Sequence, residues 1–189
     1  MDFHKAIFAF VNVRVLNSYE DGTNMLKRFY PDEYVASAYE IDFKKLYDNG
    51  CRGIIFDIDN TLVPHGAPAD EKSKEFIAYL RAIGYRVMLL SNNKEPRVKS
   101  FNDVVGAEYI YKAGKPSVGN YKKAMERMNT KKENTLFVGD QIFTDIWGAN
   151  RVGLRTYLVK PIHPKEEIQI VLKRYLEKIV LFFYNRYRK

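Results

Sequence analysis

The sequence predicts an α/β chain, a three-layer α/β/α Rossmann-like fold around a five-stranded parallel sheet. Three observations predict it. Short buried aliphatic runs alternate with helical patterns from Ile41 onward. That strict alternation implies right-handed crossovers and helices on both faces of the sheet. Polar residues also collect where the runs end: Asp57 and Asp59 after the first, Ser91 and Asn92 after the second, Asp140 after the fourth. Parallel sheets place their sites at the carboxyl ends of strands, near a switch in strand order.

The elements follow in order. "DFKKLYDNG" reads as a helix with Asp42 as its cap and Gly50 as its stop. "GIIFD" is the first buried strand. "DEKSKEFIAYLRAIG" sets Phe76, Ile77, Leu80 and Ile83 on one helical face, capped by Asp70 and ended by Gly84. "YRVMLLS" is the second strand. "EPRVKSFNDVVG" is a helix that tolerates Pro96 in its first turn. "EYIY" is a third strand, "SVGNYKKAMERMN" a helix, "TLFVG" the fourth strand, "FTDIWGANRVG" a short helix and "LRTYLV" the fifth strand.

Three segments organise the 189 residues. Residues 1–24 differ from the rest, and Met25 begins "MLKRFYPDEYV", which reads like a natural start. The first 24 residues are expected to be a poorly ordered, non-native extension. Residues 25–160 form the α/β domain. "KPIHPK" separates it from a C-terminal basic amphipathic helix within residues 161–189. In that helix Ile168, Val171, Leu172, Tyr175, Leu176, Ile179, Phe182 and Phe183 share one broad face. Lys173, Arg174 and Lys178 lie off it, and Arg186, Arg188 and Lys189 end it.

Composition narrows the functions. The hydrophobic share, 46%, allows a core and argues against global disorder. A single cysteine, Cys51, excludes an internal disulfide and a CxxC metal site, and fits a reducing cytosol. The net charge is +8, and residues 160–189 hold eight basic against three acidic residues. Such a tail suits a polyanionic partner, or else is a solvated helix face. No apolar run reaches bilayer length. "AIFAFVNVRVL" lacks a small-residue cleavage site and is interrupted by Asn12 and Arg14, unlike a signal peptide.

The chemistry lies in "GIIFDIDNTLVPHG", Gly53 to Gly66. Two carboxylates one residue apart repel each other, and a magnesium ion, which prefers oxygen ligands, would offset that repulsion. At a strand end, residues i and i+2 can point to the same side. Asp57 can then attack a phosphorus while Asp59 gives a proton to the leaving oxygen. Asp140 reaches the same edge from another strand, and Asp145 lies on the next turn. A phosphoryl group in transit spreads negative charge over its oxygens and needs cations and donors. Lys115 of "GKP", Ser91 and the backbone N–H groups after it, and helix N-termini offer these.

Four motifs in order, "IIFDIDNTLV", "VMLLSNN", "AGKP" and "GDQIFTD", resemble those of the haloacid dehalogenase (HAD) superfamily over residues 53 to about 153. The resemblance implies Asp57 as the nucleophile that forms an aspartyl-phosphate, and Asp59 as the general acid and then base. It implies Thr61, Ser91, Asn92 and Lys115 as phosphate-binding groups, and magnesium held by Asp57, Asp140, Asp145 and the backbone carbonyl of Asp59. Only 29 residues separate Thr61 from Ser91, and 22 separate Asn92 from Lys115, too few for a cap domain. An uncapped site needs its substrate to help exclude water.

A closer resemblance, carried by "MLKRFYPDEYV", "GIIFDIDNTLVPH", "LSNNKEPRV", "AGKP" and "VGDQIFTDIWGANRVG", is to the YqeG-like branch of capless, subfamily IIIA phosphatases. That branch is related to mitochondrial phosphatidylglycerophosphate phosphatases. It implies removal of the terminal phosphate from phosphatidylglycerophosphate, a lipid phosphate, to give phosphatidylglycerol. The basic tail and the uncapped site would agree with a cytoplasmic protein in peripheral contact with an anionic membrane, the tail's alternative being a helix packed on its own domain. A capless phosphatase for nucleic-acid ends or a sugar phosphate, and a non-catalytic nucleic-acid or ribosome-associated module, stand as alternatives. No aromatic platform interleaved with Lys and Arg supports nucleic acid. Asn93 reads as a turn former, His65, Arg97 and Arg151 as surface residues, and Trp147 as core.

Overall fold

The computed structural model describes residues 26–163 and 168–188. The expected extension, residues 1–24, lies outside the described residues. The described chain forms a three-layer α/β/α fold whose sheet has six parallel strands, one more than the sequence predicts. They are β1 (Glu33–Val35), β2 (Gly53–Phe56), β3 (Arg86–Leu90), β4 (Glu108–Ile110), β5 (Thr135–Gly139) and β6 (Arg155–Val159), in the order β1-β6-β5-β2-β3-β4.

The extra strand is β1, only three residues of "EYV", too short to show a periodicity. It pairs with β6 so that Tyr34 faces Leu158 and Val35 faces Val159. Asp32 fixes this register: its Oδ2 accepts from the Thr156 N–H at 2.7 Å. Among the described residues six α-helices flank the sheet: α1 (Phe43–Asp48), α2 (Glu71–Ile83), α3 (Glu95–Val105), α4 (Gly119–Arg127), α5 (Trp147–Arg151) and α6 (Ile168–Tyr187).

The caps read from the sequence are present. Asp42 accepts from the Lys45 N–H at 2.9 Å, and Asp70 from the Ser73 N–H at 2.8 Å. Gly84 ends α2 at φ 115°, a left-handed value that a side chain would resist. Alternate strand residues then supply two cores. Ile54, Phe56, Val87, Leu89, Leu136 and Val138 pack against α1, α2 and α3. Ile55, Met88, Leu90 and Phe137 pack against Tyr121, Ala124 and Met128 on the α4 side. Strands buried on both faces need no polar alternation, which is why the sequence shows plain aliphatic runs.

A third, smaller cluster joins Ile142, Ile146 and Leu158 to Val180 of α6. Helix α6 therefore packs on its own domain, but not through the broad face its apolar pattern predicts. Among the described side chains of the helix, Glu177, Val180 and Tyr184 are buried, whereas Tyr175, Leu176 and Phe182 are more than half exposed. The helix carries apolar side chains on two sides, and the docking side is decided by what it meets. The Tyr184 ring packs on Tyr30 at 5.5 Å, and Arg188 pairs with Glu33 at 2.8 Å.

No cap domain is inserted among the described residues. Between β2 and β3 the chain makes only the Asp57–Asp70 loop and α2, and between β3 and β4 only α3. No helix of the described residues is long and apolar enough to cross a membrane.

Candidate active site

Strand order reverses at β2. The chain runs outward from it to β3 and β4, then returns to its other side with β5. The carboxyl ends of β2 and β5 therefore lie side by side, and the residues that follow them are Asp57 and Asp140. Asp57 continues the ladder by donating its N–H to the Val138 carbonyl at 2.9 Å. The chain then turns back at once. Asn60 takes φ 63°, and its N–H donates to the Val63 carbonyl at 2.7 Å. Asn tolerates this left-handed conformation better than most residues. The tight turn brings Thr61 under the sheet edge, where its Oγ1 donates to Asp140 Oδ1 at 3.4 Å.

Lys115 lies at the centre of the site. Its side chain is 3% exposed, and Nζ is 2.6 Å from both Asp57 Oδ1 and Asp145 Oδ1. Asn92 positions the lysine's main chain, accepting from the Lys115 N–H at 2.8 Å and donating to the Lys115 carbonyl at 3.3 Å. The side chain of Asn92 thus acts on Lys115, a role the sequence does not reveal. Ser91 is buried at the end of β3 and accepts from the Asn93 N–H at 3.2 Å.

Asp145 enters from the π-type turn Ile142–Ile146 that precedes α5, where the sequence predicts a single short helix. Its Oδ2 accepts from the Gln141 N–H at 3.0 Å. The turn passes close over Gly139, where a Cβ would fall 2.6 Å from Asp145 Oδ2. The glycine of "GD" is there because the carboxylate needs that space.

Asp59 is held apart from the other three carboxylates. Its Oδ1 accepts from the Gly66 N–H at 2.7 Å and from Arg97 Nη2 at 2.9 Å, and its Oδ2 from Asn93 Nδ2 at 2.7 Å. Two expectations change here. Arg97 is not a surface residue but a largely buried partner of Asp59. Asn93 does more than form a turn. Their place in "SNNKEPR", at the start of α3, is the one signal that could have found them. His65 is exposed, as read, while Trp147 is only half-buried and packs on the Phe29 ring at 5.3 Å. Exposed Arg151 donates to the Pro116 carbonyl at 3.2 Å.

A residue the sequence reading passed over also reaches the site. Arg174 of α6 donates to Asp140 Oδ2, to the Asp140 carbonyl at 2.6 Å and to Glu177 Oε2 at 2.8 Å. Glu177 Oε1 in turn accepts from the Ile142 N–H at 2.7 Å.

Asp57, Asp140 and Asp145 bring carboxylate oxygens within 4.8 Å of one another, all buried. With Glu177 they make four buried carboxylates, met by Lys115 and Arg174. The surplus of negative charge suits a divalent cation, and hard oxygen donors suit magnesium-like ions. Asp145 Oδ1 is buried, and the partner it meets is the Lys115 ammonium at 2.6 Å.

The protonation behaviour fits the crowding. Burial pushes the Asp57 carboxyl up to about 7, against the pull of Lys115 and with the push of Asp145. Burial likewise holds Asp140 well above the usual carboxylate range, helped by Asp57 and Asp145 and opposed by Arg174. Burial works against the charge of Lys115, but Asp145 and Asp57 outweigh it and keep the ammonium above its ordinary value.

A buried Asp against a buried lysine, a second Asp two residues on, and an acidic cluster at a strand-order switch together suit the handling of phosphate. Comparison with known proteins agrees. A HAD-hydrolase-like family model matches residues 112–167. The chain is 38% identical over 159 residues to the probable phosphatase YqeG of Bacillus subtilis, covering 83% of this chain and 92% of that one. It therefore belongs to the HAD family of phosphatases, in the branch of YqeG.

The chain is also 27% identical over 158 residues to phosphatidylglycerophosphate phosphatase 1 of Arabidopsis thaliana, of which the match covers 45%. Among solved structures, a putative 3-deoxy-D-manno-octulosonate 8-phosphate phosphatase from Vibrio cholerae shares the fold. Its TM-score is 0.50 at 15% identity, over 80% of this chain and 96% of that one.

Proposed function

We propose that the protein is a magnesium-dependent phosphomonoesterase that converts phosphatidylglycerophosphate to phosphatidylglycerol. Asp57, drawn against Lys115, attacks the phosphorus. The P–O bond to the alcohol breaks as the aspartyl-phosphate bond forms, and Asp59 passes a proton to the departing oxygen. Asp59, oriented by Arg97, Asn93 and the Gly66 N–H, then takes a proton from the water that cleaves the intermediate. Lys115 and the donors around Ser91 balance charge on the phosphoryl oxygens. The side chains of Asp57, Asp140 and Asp145 and the backbone carbonyl of Asp59 would hold magnesium. The ion supplies charge stabilisation at the transferring group.

One observation supports the lipid reading beyond kinship with the plant phosphatase. Helix α6 runs beside the uncapped site and exposes Tyr175, Leu176 and Phe182 next to Lys178 and Arg186. An anionic bilayer would cover that apolar stripe and meet the flanking cations, each contributing about 1 kcal/mol near such a surface. The protein then acts at the membrane periphery, on a substrate whose own lipid surface helps exclude water from the site. A cavity of about 410 Å³ lies between α6 and the end of β6, lined by apolar Leu158, Val159 and Leu181 together with charged Arg174, Glu177 and Lys178, and it reaches Asp140.

The test is phosphate release from phosphatidylglycerophosphate, a 3′-phosphorylated oligonucleotide and a panel of sugar phosphates, with and without magnesium. Turnover of the lipid that needs magnesium and vanishes in Asp57→Asn is expected. Full activity in that variant would reject the mechanism, and preference for the oligonucleotide or a sugar phosphate would reject only the substrate. Flotation with anionic vesicles tests the membrane contact, which fails if Leu176→Ser/Phe182→Ser binds as well as the parent chain.

A further inference from the structure

The four motifs account for every carboxylate at the site except Glu177, and for Lys115 but not Arg174. These two residues lie one helical turn apart on α6, a helix that contributes nothing to the motifs. They are joined to each other at 2.8 Å, and each also reaches a different part of "GDQIFTD". Arg174 holds Asp140 twice, by its side chain and by its carbonyl. Glu177 accepts from the Ile142 N–H, the first amide of the turn that carries Asp145. Both α6 side chains are largely buried, at 17% and 6% exposed.

We infer that Arg174 and Glu177 are positioning residues for the cation site: from α6 they fix the orientation of Asp140 and the turn that presents Asp145. The geometry favours this over a purely structural ion pair. A guanidinium spans two acceptors on one residue only when that residue's side chain and main chain are held in a fixed relation. With Oδ2 of Asp140 held by Arg174, Oδ1 is the oxygen that meets Thr61. The anionic member of the pair does not add to the charge seen by Asp140 unopposed, because Arg174 stands between them. Carboxylates that bind metal generally need such outer partners, whose loss weakens metal binding by roughly 10–100-fold. The C-terminal helix, on this account, belongs to the catalytic centre as well as to the surface.

The inference rests on reading the acidic cluster as a cation site, not on the lipid substrate, and the experiment separates the two. Mg²⁺ and Mn²⁺ binding to the full chain would be measured by calorimetry, without substrate, for the parent protein, Arg174→Ala, Arg174→Lys, Glu177→Gln and Val180→Ala. Arg174→Ala is expected to bind at least about 10-fold more weakly. Arg174→Lys should fall between it and the parent, since an ammonium keeps the charge but cannot span both Asp140 acceptors. Glu177→Gln should weaken binding less than Arg174→Ala. Val180→Ala, which loosens the helix's packing and leaves the ionic contacts, should lower Tm while keeping the parent's affinity.

Hydrolysis of p-nitrophenyl phosphate by Arg174→Ala should recover at high metal concentration, which a fold defect would not allow. Equal or tighter binding in Arg174→Ala, or the same weakening in Val180→Ala well below its melting point, would overturn the inference. Absence of binding by the parent chain would instead sink the cation site itself.

Discussion

Gly139 offers the sharpest test of how tightly the site is built. In Gly139→Ala the new methyl carbon would stand 2.6 Å from Asp145 Oδ2 and 2.7 Å from both Cβ and Cγ of that residue. Carbon contacts settle near 3.5–4.0 Å, so Asp145 must retreat by about 1 Å, or the strand end must shift by as much. Neither is free. Asp145 is 1% exposed, is tied to the Gln141 N–H, and lies 2.6 Å from Lys115. Overpacking of this kind costs about 1–3 kcal/mol of stability. Its effect on catalysis should be larger in proportion, because misplacing a catalytic group by about 1 Å can cost about 100-fold. The assay is steady-state phosphate release with saturating metal, alongside a thermal melt. A folded Gly139→Ala protein with activity within twofold of the parent would refute the reasoning, because it would mean that Asp145 need not sit where it does.

Other outcomes follow from the same geometry. Arg97→Ala removes a donor from Asp59 and should lower kcat by about 10–100-fold, a part of what acid–base catalysis contributes; an unchanged kcat would detach Arg97 from proton transfer. Lys115→Met leaves Asp57 and Asp145 buried without their cation, so both activity and Tm should fall, and a Tm equal to the parent's would contradict the buried pairing. The raised carboxyl of Asp57 sets a sign for metal-free stability. Between about pH 4 and pH 7 the folded chain keeps a proton that the unfolded chain has released, so this group's contribution is lost as pH rises through about 7. Melts from pH 4 to 8 should show that loss in the parent relative to Asp57→Asn, and added Mg²⁺ should reverse it; a contribution that grows with pH in the metal-free protein would be the wrong sign.

Much of this is legible in the sequence. Asp57, Ser91 and Asp140 each directly follow a short buried strand, so their spacing along the chain maps onto position along the sheet edge, and Lys115 and Asp145 lie a few residues further on in the segments that follow β4 and β5. Helices α1 and α2 were legible for a similar reason: Asp42, Asp70 and Gly84 are local signals with local effects. What stayed hidden depends on distant parts of the chain. Strand β1 is three residues long and owes its existence to β6 and to Asp32 bonding Thr156. Arg97 is 38 residues from Asp59, and Arg174 is 34 from Asp140. Nothing near either arginine in sequence distinguishes it from a solvated one. For α6 the apolar pattern points to the wider stripe, whereas the domain accepts the narrower side of Glu177, Val180 and Tyr184. Periodicity reports which side chains avoid water, not which neighbour receives them.

Asn60 carries a last consequence, about where the catalytic unit ends. Its carbonyl accepts from the Ile162 N–H at 3.2 Å, and its Oδ1 from the His163 N–H at 3.2 Å. The segment leaving β6 is thus stitched to the turn between Asp59 and Thr61. A chain cut after Lys160 would retain all four motifs and every strand, yet lose two of the amides that hold the catalytic turn shut. Motif boundaries and functional boundaries do not coincide in this protein. Shortened versions meant to isolate the hydrolase should keep Ile162 and His163 along with α6, or they will report the activity of a frayed loop.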